Sequence, residues 1–167
     1  TPGLPAATTL AATALSGTGA TLNGQATGNG AATTGWFRYA TTNPGTCDDL
    51  FGVRAPLSGG TNVGAGTTPA AFSAVLTGLT PATTYFFCAI AQNSQGTRYG
   101  AVLSFTTMAP PAVTTLAATA VAGSQATLNA TANPGGLAAT GWFRYATTAP
   151  SACDDSFGTR TPASGGT

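Results

Sequence analysis

Apolar and polar positions alternate with a period of two along most of this chain. In Thr84–Asn93 the residues Tyr85, Phe87, Ala89 and Ala91 fall on one side, and Phe86, Cys88 and Ile90 on the other. In residues 35–42 Phe37 and Tyr39 lie opposite Trp36 and Arg38. Segments around residues 7–14, 19–26, 33–42, 70–77, 83–92 and 98–107 are rich in Thr, Val and aromatics and are separated by Gly, Pro and Asn, which predicts strands. Residues 53–68 are mostly Gly, Ser and Thr, with room for one short edge strand. Ala is common, but no segment holds a 3.6-residue apolar period and Thr and Gly oppose helix, so the predicted class is all-β.

The chain repeats itself. Gly35-Trp36-Phe37-Arg38-Tyr39-Ala40-Thr41-Thr42 returns at residues 141–148, an offset of 106. The same offset carries residues 8–14 onto 114–120, Cys47-Asp48-Asp49 onto Cys153-Asp154-Asp155, and Ser58-Gly59-Gly60-Thr61 onto Ser164-Gly165-Gly166-Thr167. No gap is needed, and a unit of this length has the size of a small β-sandwich. The expected organisation is a complete repeat over residues 1–107 and the first half of a second over 108–167, cut from a longer tandem array that continues in both directions. Mutual strand donation between two chains does not complete every unit, because each chain has two first halves and one second half.

Composition narrows the function. Of 167 residues only 5% are charged; the five basic ones are all Arg, the four acidic ones are all Asp, and Lys, Glu and His are absent. A net charge of +1 gives no electrostatic grip on nucleic acid or anionic lipid. No apolar run reaches the roughly 18–20 residues of a membrane span. Ser and Thr are plentiful, but a nucleophile needs an activating base and there is no His or Lys to serve. The expectation is a protein that is not an enzyme and needs no cofactor.

Residues 79–85, Leu79-Thr80-Pro81-Ala82-Thr83-Thr84-Tyr85, have the spacing of a strand-to-strand corner: Tyr85 seals the core and its hydroxyl bonds back to upstream backbone, with Leu79 and Pro81 shaping the turn. Together with Ala20-Thr21-Leu22-Asn23, residues 35–42 and residues 93–107 with Tyr99-Gly100 and Ser104-Phe105-Thr106-Thr107, this stretch resembles the fibronectin type III family in its bacterial secreted and surface form. The resemblance spans nearly the whole chain. It implies an immunoglobulin-like β-sandwich of seven strands in tandem array, with strands A, B and E facing C, C′, F and G. The Arg-Gly-Asp tripeptide is absent, so the integrin-binding role does not follow, and the family usually lacks the Cys residues and carries more charge.

If that topology holds, Cys47 after strand C and Cys88 within strand F sit on neighbouring strands, and a Cys47–Cys88 bridge is geometrically reasonable. Cys153 is the repeat equivalent of Cys47, and its partner is expected beyond residue 167. A buried free pair and an intermolecular bridge are the alternatives. A structural disulfide implies an oxidising, extracytoplasmic location.

Other candidates read mainly as structure. Asp48-Asp49 could hold Ca²⁺, but no calcium-loop ladder accompanies them, and loop capping with pairing to Arg38 or Arg54 is the preferred reading. The Gly17-Thr18-Gly19, Gly28-Asn29-Gly30 and Gly64-Ala65-Gly66 runs are turns, lacking a phosphate-loop Lys. Asn129-Ala130-Thr131 matches a glycosylation sequon by chance, since the first repeat has Asn23-Gly24-Gln25 there. Trp36, Phe86 and Ile90, with Arg38 beside them, are expected on the outer face of the C–F sheet. They serve as a shield over the disulfide, as an exposed patch for docking a neighbouring domain, or as a sugar-stacking surface on Trp36. The charge deficit calls for lateral packing into a fibre, O-linked sugar on Thr, or anchorage in an array. The function these features suggest is the stalk, adhesin shaft or filament of an extracellular surface protein, with further copies of the repeat as partners. The alternative is a spacer or carbohydrate-associated binding module of a secreted enzyme.

Overall fold

The computed structural model describes residues 1–166, and every described element is a β-strand or a turn. Thr167, the end of the second expected domain, lies outside the described residues. The chain divides into two units, Thr1–Ala109 and Pro110–Thr167. The boundary falls after Ala109 because Met108 is tied into the first unit: its N–H donates to the Ser16 carbonyl (3.0 Å) and its own carbonyl accepts from Ala82 N–H (3.2 Å).

The first unit contains β1 (Ala6–Thr13), β2 (Gly19–Thr27), β3 (Thr33–Ala40), β4 (Val53–Ala55), β5 (Thr61–Gly64), β6 (Ala70–Thr77), β7 (Thr84–Asn93), β8 (Gly96–Tyr99) and β9 (Leu103–Thr106). One antiparallel sheet has the order β1-β2-β6. The other runs β4-β3-β7-β8, with β5 also pairing β3 and β9 also pairing β7. The inward sides of both sheets supply one core. Leu22, Phe72 and Leu76 meet Phe37, Tyr85, Phe87 and Phe105 there, all buried. Phe37 and Phe72 touch across the gap with ring centroids 4.8 Å apart. Gly35 is required at this contact, since a Cβ there would stand 2.9 Å from the Phe72 ring.

Nine strand segments appear where seven were expected, for two reasons. The Gly-rich stretch between β3 and β6 pairs with β3 twice, once through β4 and once through β5. The last expected strand is broken at Gly100, which turns its N–H onto the Ala89 carbonyl (2.8 Å). The backbone there lies against Thr9, where any Cβ would collide with the hydroxyl.

The second unit contains β10 (Ala112–Ala122), β11 (Gln125–Asn133), β12 (Phe143–Tyr145) and β13 (Thr159–Thr161). β10 pairs β11, and β12 pairs β13 in the same register as β3 with β4. A bulge interrupts β1 between Leu10 and Thr13 and β10 between Leu116 and Thr119. The same side chain braces it in each repeat: the Asn23 amide donates to the Ala11 carbonyl (2.9 Å) and the Asn129 amide to the Ala117 carbonyl (2.9 Å). The engaged amide of Asn129 leaves the apparent sequon a structural role.

Candidate functional site

The cysteine loop and the sheet beneath it form the most organised polar assembly of the first unit. On β3 and β7, Trp36 pairs with Ile90 and Arg38 with Cys88. These residues point away from the main core, as the alternation required. Loop residues 41–52 fold back over them. Cys47 in the loop is bonded to Cys88 with a Cα–Cα distance of 6.0 Å. Trp36, Cys88 and Ile90 thereby become a second small core, closed by Phe51 and Val102.

The loop is held by more than the disulfide. The Asp49 carboxylate accepts from Trp36 Nε1 (2.9 Å) and from Arg38 Nε (2.8 Å), so one oxygen joins both. Arg38 Nη1 then donates to the carbonyls of Phe51 (3.5 Å) and Gly52 (3.4 Å). The Arg54 guanidinium lies 4.6 Å from the Trp36 ring centroid, over its face. Its nitrogens donate to the carbonyls of Pro56 (2.9 Å) and Gly59. Asp48 turns the other way and caps the N–H groups of Leu50 (2.7 Å) and Phe51 (2.9 Å). Burial by itself would push the Asp49 carboxyl up; hydrogen bonds from Arg38 and Trp36, with the charges of Arg38 and Arg54, outweigh it and hold the group below its ordinary range.

The second repeat builds the same arrangement. Asp155 accepts from Trp142 Nε1 (2.8 Å) and Arg144 Nε (2.9 Å), and Arg160 lies 4.8 Å from the Trp142 ring centroid. Cys153 is exposed and unbridged. The clasp of Trp, Asp and two Arg residues thus occurs in both repeats.

Of the three expectations for Trp36, Phe86 and Ile90, this geometry is that of the shield over the disulfide and not that of an exposed patch. Trp36 is 4% exposed and Ile90 fully buried, so neither offers an apolar surface to a partner. Phe86 is half-buried and Arg38 is committed to the loop. Sugar stacking on Trp36 is excluded in the same way, its ring being buried and one face taken by Arg54. The signal for a covering loop was present in the paired Arg54 and Arg160, which recur in register with the Trp residues. Asp48 and Asp49 bond to different partners, and no group of three His, Cys, Asp or Glu that could hold a metal occurs among the described residues.

The corner is compact. Tyr85 Oη accepts from Thr80 N–H (3.0 Å), and its ring stacks on Phe105 at 5.5 Å. Leu79 is buried, while Pro81 is exposed and its carbonyl accepts from the Thr83 hydroxyl (2.9 Å). Thr107 locks the far side, its hydroxyl accepting from Thr83 N–H (3.0 Å) and donating to the Thr80 carbonyl (2.7 Å).

No family model and no curated protein matches this chain. Among solved structures it is similar to the sensor domain of the anti-sigma factor RsgI4 in Pseudobacteroides cellulosolvens. A short form is 20% identical, with a TM-score of 0.41, over 62% of this chain and 93% of that one. A long form is 22% identical at a TM-score of 0.40, over 62% and 88%. A solution structure is 21% identical at 0.39, over 62% and 74%. Likeness at these TM-scores carries no argument about what this chain does. A disulfide of the Cys47–Cys88 kind belongs to an oxidising compartment. Among the described residues no helix is long and apolar enough to cross a membrane.

Proposed function

We propose that this chain is a load-bearing segment of an extracellular shaft, stalk or filament, built from tandem fibronectin type III-like repeats. The observation that carries the reading is the repeated loop clasp. Each copy uses two Asp and two Arg side chains to order a loop and fix it to its own sheet; Arg98, on β8, stands apart from the clasp. The Cys47–Cys88 bond spans 41 residues of sequence and adds an idealised chain-entropy contribution of about 4 kcal/mol. The two-sheet core, the Tyr85 corner and the tie of Met108 to Ser16 support a brick-like unit whose joint is short. Beyond Met108 that joint is Ala109-Pro110-Pro111, and prolines restrict its motion. The role is mechanical rather than catalytic, with further copies of the repeat as partners and the exposed Thr residues as sites for sugar.

Electron microscopy of the native material tests this directly. Rods or fibres whose length follows repeat number are expected. Isolated particles carrying the repeats beside a catalytic body would replace the shaft with the spacer reading.

A further inference from the structure

The edges of the two sheets in the first unit are not protected alike. An edge strand exposes unpaired N–H and C=O groups, and folded proteins normally blunt it with charge, proline, a bulge, shortness or a covering segment. β4 and β5 are three and four residues long, and β4 carries Arg54. β8 and β9 have four residues each, are separated at Gly100, and β8 carries Arg98. β1 has the Leu10–Thr13 bulge, and Gly100 packs on the backbone of Thr8 and Thr9.

β6 has no charge, proline or bulge and is not short, and β5 of the other sheet packs near it without hydrogen-bonding to it as a strand. It runs eight residues, Ala-Ala-Phe-Ser-Ala-Val-Leu-Thr, without charge or proline. It pairs β2 without a break from Gly19↔Thr77 to Ala26↔Ala70, and β2 is its only hydrogen-bonded neighbour strand among the described residues. Ala71, Ser73, Val75 and Thr77 are exposed on its outer side, Val75 at 73%. The charged residues of this unit, Arg38, Asp48, Asp49, Arg54 and Arg98, all lie outside β1, β2 and β6.

We infer that β6 is a docking edge for β6 of a second copy of this chain. The two strands pair antiparallel about a two-fold axis and join two three-stranded sheets into one of six. The occupant follows from the edge itself. A backbone ladder is satisfied by another strand, and a two-fold pairing sets each half of β6 against the other half of its twin. A charge of one sign near the centre of the strand would oppose itself there; β6 has no charge to oppose. Each such contact is small and weak, and repetition along an array multiplies it. This inference is independent of the shaft reading, since an isolated chain in solution shows it equally well.

The experiment is sedimentation equilibrium of the full chain carrying Cys153→Ser, which removes disulfide-linked dimers, compared with the same chain carrying Ser73→Lys and Val75→Lys. A reversible, concentration-dependent dimer is expected for the first. The second is expected to stay monomeric over the same range with an unchanged circular dichroism spectrum. Hydrogen exchange on the Cys153→Ser chain gives a readout that does not depend on the Lys variant folding: β6 amides gain protection as concentration rises. A parent chain monomeric throughout, a dimer undiminished by the two Lys residues, or protection gained elsewhere but not on β6 would overturn the inference.

Discussion

The hydroxyl of Thr9 on β1 accepts a 3.0 Å hydrogen bond from the backbone N–H of Ala89 on β7, inside the first unit and across 80 residues of sequence. Ala89 sits where the strand beside β7 is interrupted: Ile90 pairs Tyr99 on β8, Phe87 pairs Leu103 on β9, and the residues between have no ladder partner on that side. Gly100 supplies a donor for the Ala89 carbonyl, and Thr9 supplies the acceptor for its N–H. One side chain thus satisfies a break in one sheet from the other sheet.

Replacing Thr9 by Val keeps the shape and removes the acceptor, leaving a buried N–H unpaired. The expected cost is about 1–3 kcal/mol. Thermal unfolding should register it as a lower midpoint, with Thr9→Ser recovering part of the loss. A Thr9→Val midpoint equal to that of the parent would show that the bond contributes nothing.

How far the sequence foretold these features depends on whether a local pattern encodes them. The period of two in Thr84–Asn93 placed Tyr85, Phe87, Ala89 and Ala91 on the core side, where they are buried. The same period sent Trp36 and Ile90 outward, which is also where they point; it carries no information about a loop folding back to cover them. Covering is a tertiary event, and its traces were Asp49 and Arg54, residues as compatible with a solvated turn as with a clasp. Thr9 was illegible for a different reason: in a chain this rich in Thr, one buried hydroxyl has no signature. The break at Gly100 followed from Thr9 and was hidden with it.

Asp49→Ala tests the clasp. It removes the acceptor shared by the nearly buried Trp36 indole and Arg38. Because the Asp49 side chain is itself 39% exposed, solvent screens the ionic part, and the expected loss is about 1–2 kcal/mol. Urea unfolding followed by far-ultraviolet circular dichroism measures it. Asp49→Asn, which retains an oxygen acceptor, should lose less.

Acid should weaken the same contact in a defined direction. The folded chain holds the Asp49 carboxyl below its ordinary range, while the unfolded chain takes up that proton near the usual Asp value of about 4. The stability this contributes is complete above the unfolded value and is lost as pH falls through the folded one. Melting temperatures should therefore be level from neutral pH down to about 5 and decline below it. In Asp49→Asn the decline should be shallower; an identical acid profile would assign it to other carboxylates.

At the corner, Tyr85→Phe leaves the ring stacked on Phe105 and removes only the acceptor for Thr80 N–H. Thr80 is exposed, so water replaces part of what is lost, and the expected cost is about 0.5–1.5 kcal/mol. Tyr85→Ala removes the ring from a core position 7% exposed and should cost about 3–5 kcal/mol. A small difference between the two variants in equilibrium unfolding would mean that the ring does not seal the core.

Two devices hold the loop, and their coupling is measurable. In the second repeat the Trp142–Asp155–Arg144 contacts form with the same partners and spacing as in the first. In the first repeat, replacing Cys47 and Cys88 by Ala should lower stability by up to about 4 kcal/mol and leave the clasp assembled. Once the bond is gone, the clasp alone fixes a loop that the disulfide had already restrained. Asp49→Ala should then cost more in the disulfide-free background than in the parent, giving a double-mutant coupling of about 0.5–3 kcal/mol. Denaturant midpoints of the parent, the double Cys variant, Asp49→Ala and the triple variant complete the cycle. Equal costs in both backgrounds would mean that the two devices restrain different motions.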